Sequence, residues 1–136
     1  MLTYRTPQSF DNRFGRTLNK EQGIFNIESW LIYHGEKLQK RFQIKAYIMM
    51  NHLLSSINIE REGEVAFNII KDIKSEIHLI AIDSDLFFIP TEDQKTFNLF
   101  KKVKKNIYYH EIKSLHGHDA FLIESQSMEK ILSKIF

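Results

Sequence analysis

Two turns in the second half of the chain carry side chains that could transfer protons. His118 lies in a glycine-containing turn that follows an apolar run at 106–112. A histidine in such a turn stays reachable, and imidazole ordinarily titrates near neutrality, which suits a general base. Asp85 follows a second apolar run, at 77–82. An acid and then a base at two strand ends are two thirds of an acyl-transfer triad, and no serine nucleophile accompanies them.

The spacing of apolar residues predicts five helices and two strands around these turns. The predicted helices span 24–42, 44–57, 60–75, 91–104 and 119–135, and the predicted strands span 77–82 and 106–112. The run 77–82 is apolar on both alternating sets, which is typical of a central parallel strand covered on both faces. Residues 1–23 contain Pro7, Gly15 and Gly23, and predict a loop that is packed on the surface by its aromatic side chains.

This order of elements predicts an α/β fold, with a helical first half and a parallel β-α-β-α unit at the end. Two strands rarely make a stable sheet, so we expect further strands from a preceding segment or another chain. The helix at 44–57 has almost no polar face, which predicts burial on most sides or an oligomer interface. Gly35, inside the helix at 24–42, indicates a close backbone contact or a break there.

The carboxyl ends of neighbouring parallel strands lie about 4.8 Å apart, so Asp85 and His118 could meet across the gap. The acid would then fix the imidazole tautomer while the base moves the proton. Asp83 competes for the role of the acid, because it lies nearer the strand. The alternative without chemistry makes Asp85 a turn former and His118 an exposed loop residue.

Several other polar residues have a structural and a functional interpretation. Asp119 could cap the last helix, or it could hold a substrate ammonium beside the base. A metal site at 116–119 is disfavoured because the sequence places no third ligand there, so His116 is expected to be a solvated turn residue. The basic run at 101–105 predicts a solvated helix end. The remaining histidines lack convergent spacing and are expected to be structural: His34, His52, His78 and His110.

Composition excludes several classes of function. The net charge of +2, from 19 basic and 17 acidic residues, is too balanced to indicate nucleic acid or a membrane surface as a partner. The absence of cysteine excludes disulfides, thiolate metal sites and a cysteine nucleophile. No apolar run approaches the roughly 18 residues of a membrane span, so a cytoplasmic protein is expected. None of the five glycines builds a G-x-S-x-G nucleophile motif.

Four stretches together resemble the C-terminal part of the homoserine O-acetyltransferase family. They are LTYRT at 2–6 with SF at 9–10 and RFG at 13–15, FxIESxLxYHGxK at 25–37 with RF at 41–42, SDxF at 84–87, and GHDAFL at 117–122. The resemblance implies the C-terminal portion of an α/β-hydrolase fold. Residues 1–58 would form a helical lid segment, and residues 59–136 would belong to the α/β core.

The resemblance also implies a role for each matching residue. Asp85 would be the triad acid and His118 the triad base, while Asp119 and, with a weaker match, Tyr4 would bind homoserine. Acetyl-CoA would be the acyl donor, and neither a metal nor a cofactor would be needed. The full-length family implies a homodimer through the lid helices, and the serine would have to come from the missing N-terminal part. The chain alone would then be inactive.

Two other functions compete with this one. The chain could be a segment of a related acyltransferase, acting with a succinyl donor or a serine acceptor, or of an α/β-hydrolase. It could also be a non-catalytic protein that uses the lid as an association surface.

Overall fold

The computed structural model describes residues 4–60 and 65–136, and within them the chain is a mixed α/β protein. The α-helices in these two ranges are α1 (Pro7–Phe14), α2 (Asn26–Arg41), α3 (Ile44–Ser56), α4 (Ala66–Asp72), α5 (Pro90–Phe100), α6 (Ala120–Ile123) and α7 (Ser125–Leu132). The strands in the same ranges are β1 (Leu18–Asn19), β2 (Ile24–Phe25), β3 (Ile77–Ile82) and β4 (Ile107–Ile112). None of the helices in these two ranges combines the length and apolar character that crossing a membrane requires.

The expectation of a loop over residues 1–23 is wrong for residues 7–14, which form α1. Thr6 caps this helix by accepting a hydrogen bond from the Ser9 amide at 3.1 Å, and Pro7 occupies its first turn, where its missing N–H costs nothing. Phe10 is buried and packs edge-on against Trp30 of α2, with ring centroids 5.6 Å apart. A short antiparallel pair, β1 with β2, connects α1 to α2.

Helices α2 and α3 lie within one or two residues of their predicted bounds. Within the described residues the expectation for Gly35 is wrong, because α2 runs through it unbroken and, apart from the adjoining backbone of α2, no atom lies within 4 Å of where its Cβ would be. Nothing in the described part of the chain covers α3, which has no buried residue. Burial of α3 within the described residues is therefore excluded, while an interface between copies stays a prediction.

The predicted parallel strand pair is confirmed. β3 and β4 pair in register from Ile77 opposite Ile107 to Ile82 opposite Ile112, and α5 lies on the connection between them. A core forms where these strands end, around the buried side chains Ile82, Ile112 and Ala120. Partly buried apolar side chains from β3 and α7 pack against this core: Ile80, Met128 and Ile131.

The C-terminal helix differs from the single helix expected at 119–135. A 3₁₀ turn at Gly117–Asp119 leads into α6, and a break at Glu124 separates α6 from α7. The Glu124 carboxylate accepts a hydrogen bond from the Ser114 hydroxyl at 2.8 Å, which ties the break back to the preceding loop.

Helix α5 also ends early. Lys104 is not solvated as expected, since it is only 4% exposed and donates to the Ile73 carbonyl at 2.6 Å.

Helix α4 spans only part of the expected helix at 60–75, and residues 61–64 of that range lie outside the described residues.

Candidate active site

Two loops at the carboxyl ends of β3 and β4 are joined by hydrogen bonds. The amide of Asp83 donates to the Ile112 carbonyl, and its carboxylate accepts from the Ser114 amide at 2.9 Å. Ser84 donates its hydroxyl to the Ser114 carbonyl and accepts from the Gly117 amide at 3.0 Å. Asp83 and Ser84 therefore hold the two loops side by side, and neither side chain forms a hydrogen bond with His118.

The residue that contacts His118 is Asp85. Its Oδ2 atom lies 2.8 Å from His118 Nδ1, while its Oδ1 atom accepts from the amides of Phe87 at 2.7 Å and Phe88 at 3.0 Å. The Asp85 side chain is only 5% exposed. Because three donors share this carboxylate, its position is fixed by both loops. The structure thus places Asp85, rather than Asp83, beside the imidazole, and the catalytic role of the pair stays a prediction.

Aromatic rings surround the His118 imidazole. The ring centroids of Tyr4, Phe87, Phe88 and Phe121 lie between 5.3 and 5.5 Å from that of His118. A cavity of about 230 Å³ lies beside them and is lined by both members of the carboxylate–imidazole pair. No hydrogen bond within the described residues engages His118 Nε2, which leaves this nitrogen available to exchange a proton.

Asp119 occupies the N-cap position of α6, but its side chain makes no capping hydrogen bond, contrary to the structural interpretation of the sequence. Its Oδ2 atom instead accepts from Arg5 Nε at 3.1 Å, with the two side chains 33% and 18% exposed. A cation from the start of the chain therefore neutralises the carboxylate that follows the base. Tyr4 stands next to that cation, with its ring 5.3 Å from the His118 ring.

A second carboxyl group lines the cavity. Burial raises the pKa of Asp93, and the charge of Asp85 raises it further. Asp93 lies within the helix predicted at 91–104 and was not among the candidate site residues. Its position in the first turn of α5, just after the loop that carries Asp85, is the signal that could have placed it here.

Three histidines interpreted as ordinary structural or solvated residues have specific partners. His116 is half-buried, and its Nδ1 atom lies 2.8 Å from the hydroxyl of the buried Ser9. His78 Nδ1 lies 3.0 Å from His110 Nε2, on neighbouring strands. Burial lowers the pKa of His110, as do the nearby His78 and Lys134. In the described part of the chain, no group of three or more potential ligand side chains is arranged to hold a metal ion.

The arrangement can perform one kind of chemistry with its own residues. A buried carboxylate that accepts from Nδ1–H leaves Nε2 of the same ring as the basic atom, and it stabilises the imidazolium that forms on protonation. The fold and the site together define an α/β protein with a carboxylate–imidazole pair at the carboxyl edge of parallel strands, where ligands of such sheets bind.

Several curated proteins that share one name are similar to this chain. Similar proteins named homoserine O-acetyltransferase come from Chloroherpeton thalassium, 36% identical over 132 residues, and Carboxydothermus hydrogenoformans, 39% identical over 142 residues. A third, from Methanococcus vannielii, is 32% identical over 140 residues. No protein-family model matches the chain.

These matches cover 97%, 98% and 98% of this chain, but 34%, 37% and 28% of the respective relatives. The chain thus spans about a third of the length of the curated relatives it matches. Over nearly its whole length, it is homologous to a segment of the homoserine O-acetyltransferases, and the resemblance seen in the sequence is confirmed.

Proposed function

We propose that the chain is the C-terminal part of a homoserine O-acetyltransferase with an α/β-hydrolase fold. In this proposal it supplies the acid, Asp85, and the base, His118, of a Ser-Asp-His triad. The observation that carries the proposal is the 2.8 Å contact between the buried Asp85 carboxylate and His118 Nδ1. The serine would come from a segment outside these 136 residues, because they contain no G-x-S-x-G motif.

The reaction would proceed in two acyl transfers. His118 Nε2 takes the proton of the serine hydroxyl as the serine oxygen attacks the thioester carbonyl of acetyl-CoA, and the coenzyme A thiol leaves with that proton. The homoserine hydroxyl then attacks the acyl-serine, passing its proton to His118, which returns it to the serine oxygen. Throughout, Asp85 keeps Nδ1 protonated and stabilises the imidazolium.

The proposal is tested by adding the missing part. The chain is co-expressed with the polypeptide encoded immediately upstream, and release of the coenzyme A thiol from acetyl-CoA is followed with homoserine present. Acetylation that falls about 10⁴-fold in Asp85→Asn supports the proposal, since the amide favours the wrong imidazole tautomer. His110→Gln is the matched histidine control, because His110 lies within β4 rather than in the turn after it.

A well-folded complex with no acetylation that depends on His118 would refute the proposal. Succinyl-CoA as donor and serine as acceptor test the related transferases in the same assay, and release of free acetate tests the hydrolase.

For the acceptor, we propose that Asp119 binds the homoserine ammonium and that Tyr4 lines the same site. Arg5 occupies only the Oδ2 atom of Asp119, and no hydrogen bond within the described residues engages Oδ1. The expected result for Asp119→Asn is a raised KM for homoserine with a much smaller effect on the first acyl transfer, since only the acceptor has the ammonium and the asparagine oxygen can still accept from Arg5. A first half-reaction that slows as much as the second would place Asp119 in another role.

Helix α3 supports a second, compatible proposal, that the chain associates with a copy of itself through its helical half. The apolar side chains of this helix and of the residue after it are at least half exposed: Ile44, Tyr47, Ile48, Met49, Met50, Leu53, Leu54 and Ile57. Soluble monomeric proteins rarely expose an apolar patch of this size, and such patches commonly mark association surfaces. Leu53→Glu should therefore shift the sedimentation of the protein toward the monomer, whereas Lys45→Glu should not.

A non-catalytic association protein would keep its biological effect in His118→Ala.

A further inference from the structure

Three consecutive residues before the base and the residue after it all contact the start of the chain. Thr6 donates its hydroxyl to the Leu115 carbonyl, and Arg5 donates to Asp119. Gly117 has a positive φ of 67°, and a Cβ on it would lie 3.1 Å from the Tyr4 carbonyl oxygen. The segment at 4–9 therefore packs directly against the turn that carries His118.

A chain of polar contacts runs between the two flanks of the base. Arg5 binds Asp119 through Nε and donates through Nη1 to the Ser9 hydroxyl at 3.2 Å, and that hydroxyl lies 2.8 Å from His116 Nδ1. Ser9 is only 1% exposed, so it is not available as a nucleophile. One guanidinium and one hydroxyl thus connect the residue two positions before His118 with the residue one position after it.

The hydrogen bonds of the buried Ser9 hydroxyl assign a tautomer to His116. A serine hydroxyl has one hydrogen to donate, and a guanidinium can only donate. The Ser9 oxygen accepts from Arg5 with one of its two lone pairs. Ser9 is buried, and no hydrogen bond within the described residues gives its hydrogen another acceptor, so we assign that hydrogen to His116 Nδ1. His116 then carries its proton on Nε2.

We propose that Ser9 and His116 are positioning residues for His118. By fixing both flanks of the turn, they hold the imidazole where Asp85 can bind its Nδ1 atom, within the ring of aromatic side chains described above. The catalytic consequence rests on the proposed function, whereas the positioning itself does not. Loss of either partner should loosen the contact between His118 and Asp85 without removing any atom of that pair.

The test uses nuclear magnetic resonance of the histidine side chains in the 136-residue protein. We expect His116 as the Nε2–H tautomer, and a His118 Nδ1–H proton that exchanges slowly with solvent because Asp85 accepts it. In Ser9→Ala and His116→Ala, exchange of the His118 proton should accelerate about fivefold, the change that loss of one hydrogen bond allows. His116→Asn should restore slow exchange, because the asparagine amide lies close to the position of Nδ1. Ser133→Ala, at an exposed serine, is the matched control.

Two results would overturn the inference. One is slow exchange of the His118 proton in folded Ser9→Ala or His116→Ala. The other is equal acceleration in His116→Asn and His116→Ala, which also decides the matter if Ser9→Ala does not fold. Absence of acetyl transfer in the reconstituted protein would refute the proposed function alone, because the exchange measurement needs neither substrate nor serine.

Discussion

Gly117 is the position where a single methyl group should disturb the site most directly. Its φ of 67° belongs to the left-handed region, and a Cβ there would lie 3.1 Å from the Tyr4 carbonyl oxygen, 3.3 Å from Arg5 Cα and 3.3 Å from the Thr6 amide nitrogen. All three neighbours are backbone atoms, which cannot move aside as the end of a flexible side chain can. Gly117→Ala should therefore displace the segment at 4–6 from the turn.

The chain provides a control that separates the two costs of this substitution. Gly23 has a φ of 68°, and nothing lies within 4 Å of its Cβ position. Gly23→Ala should lower the free energy of unfolding by about 1–2 kcal/mol, the cost of left-handed backbone for an L-residue. Gly117→Ala carries the same cost plus about 1–3 kcal/mol for overpacking, which gives a total of about 2–5 kcal/mol.

Urea denaturation measures both variants against the unaltered chain, with circular dichroism and Trp30 fluorescence as independent probes. Trp30 is the only tryptophan and contacts Phe10 of α1, so its emission also reports the docking of the first helix. The His118 proton exchange described above should accelerate in Gly117→Ala and stay unchanged in Gly23→Ala. Equal losses of stability in the two variants would refute the close contact between the turn and the start of the chain.

Three further predictions concern stability. Gly35→Ala should raise the free energy of unfolding by about 1 kcal/mol in urea titrations, because α2 is continuous there and its Cβ position is open. Burial and the charge of His78 lower the pKa of His110, so the unfolded chain binds a proton there more readily than the folded chain. The free energy of unfolding should therefore fall as the pH drops below the ordinary histidine pKa of 6.5, and His110→Gln should make this dependence on pH less steep. Burial and Asp85 raise the pKa of Asp93, so its ionisation destabilises the fold; Asp93→Asn should raise the melting temperature at pH 7, and an unchanged value would contradict this.

Regular elements could be predicted from the sequence because their signals are local. The strands at 77–82 and 107–112 are short apolar runs, and α2 and α3 repeat apolar residues at helical spacing. The contact of Asp85 with His118 could be anticipated for a related reason, since parallel strands bring their carboxyl ends to one edge. Helix α1 was missed because it is eight residues long and has only Phe10 as a buried large side chain.

The contacts that surround the base could not be predicted, because no local pattern encodes them. Arg5 and Asp119 are 114 positions apart, and Ser9 and His116 are 107 apart. Each residue alone is an ordinary polar side chain in a loop or a short helix. The burial of Lys104 was mispredicted for the opposite reason, because a run of lysines is a local pattern that suggests solvent exposure. Only the fold shows that Lys104 reaches the Ile73 carbonyl.

The pairing of the segment at 4–9 with the turn at 115–119 has a consequence for folding. Closing a loop of more than a hundred residues costs conformational entropy before the contacts at its ends can stabilise the chain, and contacts between distant positions slow folding. During synthesis, Arg5 and Ser9 leave the ribosome long before their partners do. The turn that holds His118 should therefore be among the last parts to reach its native conformation, after β3 and β4 have paired.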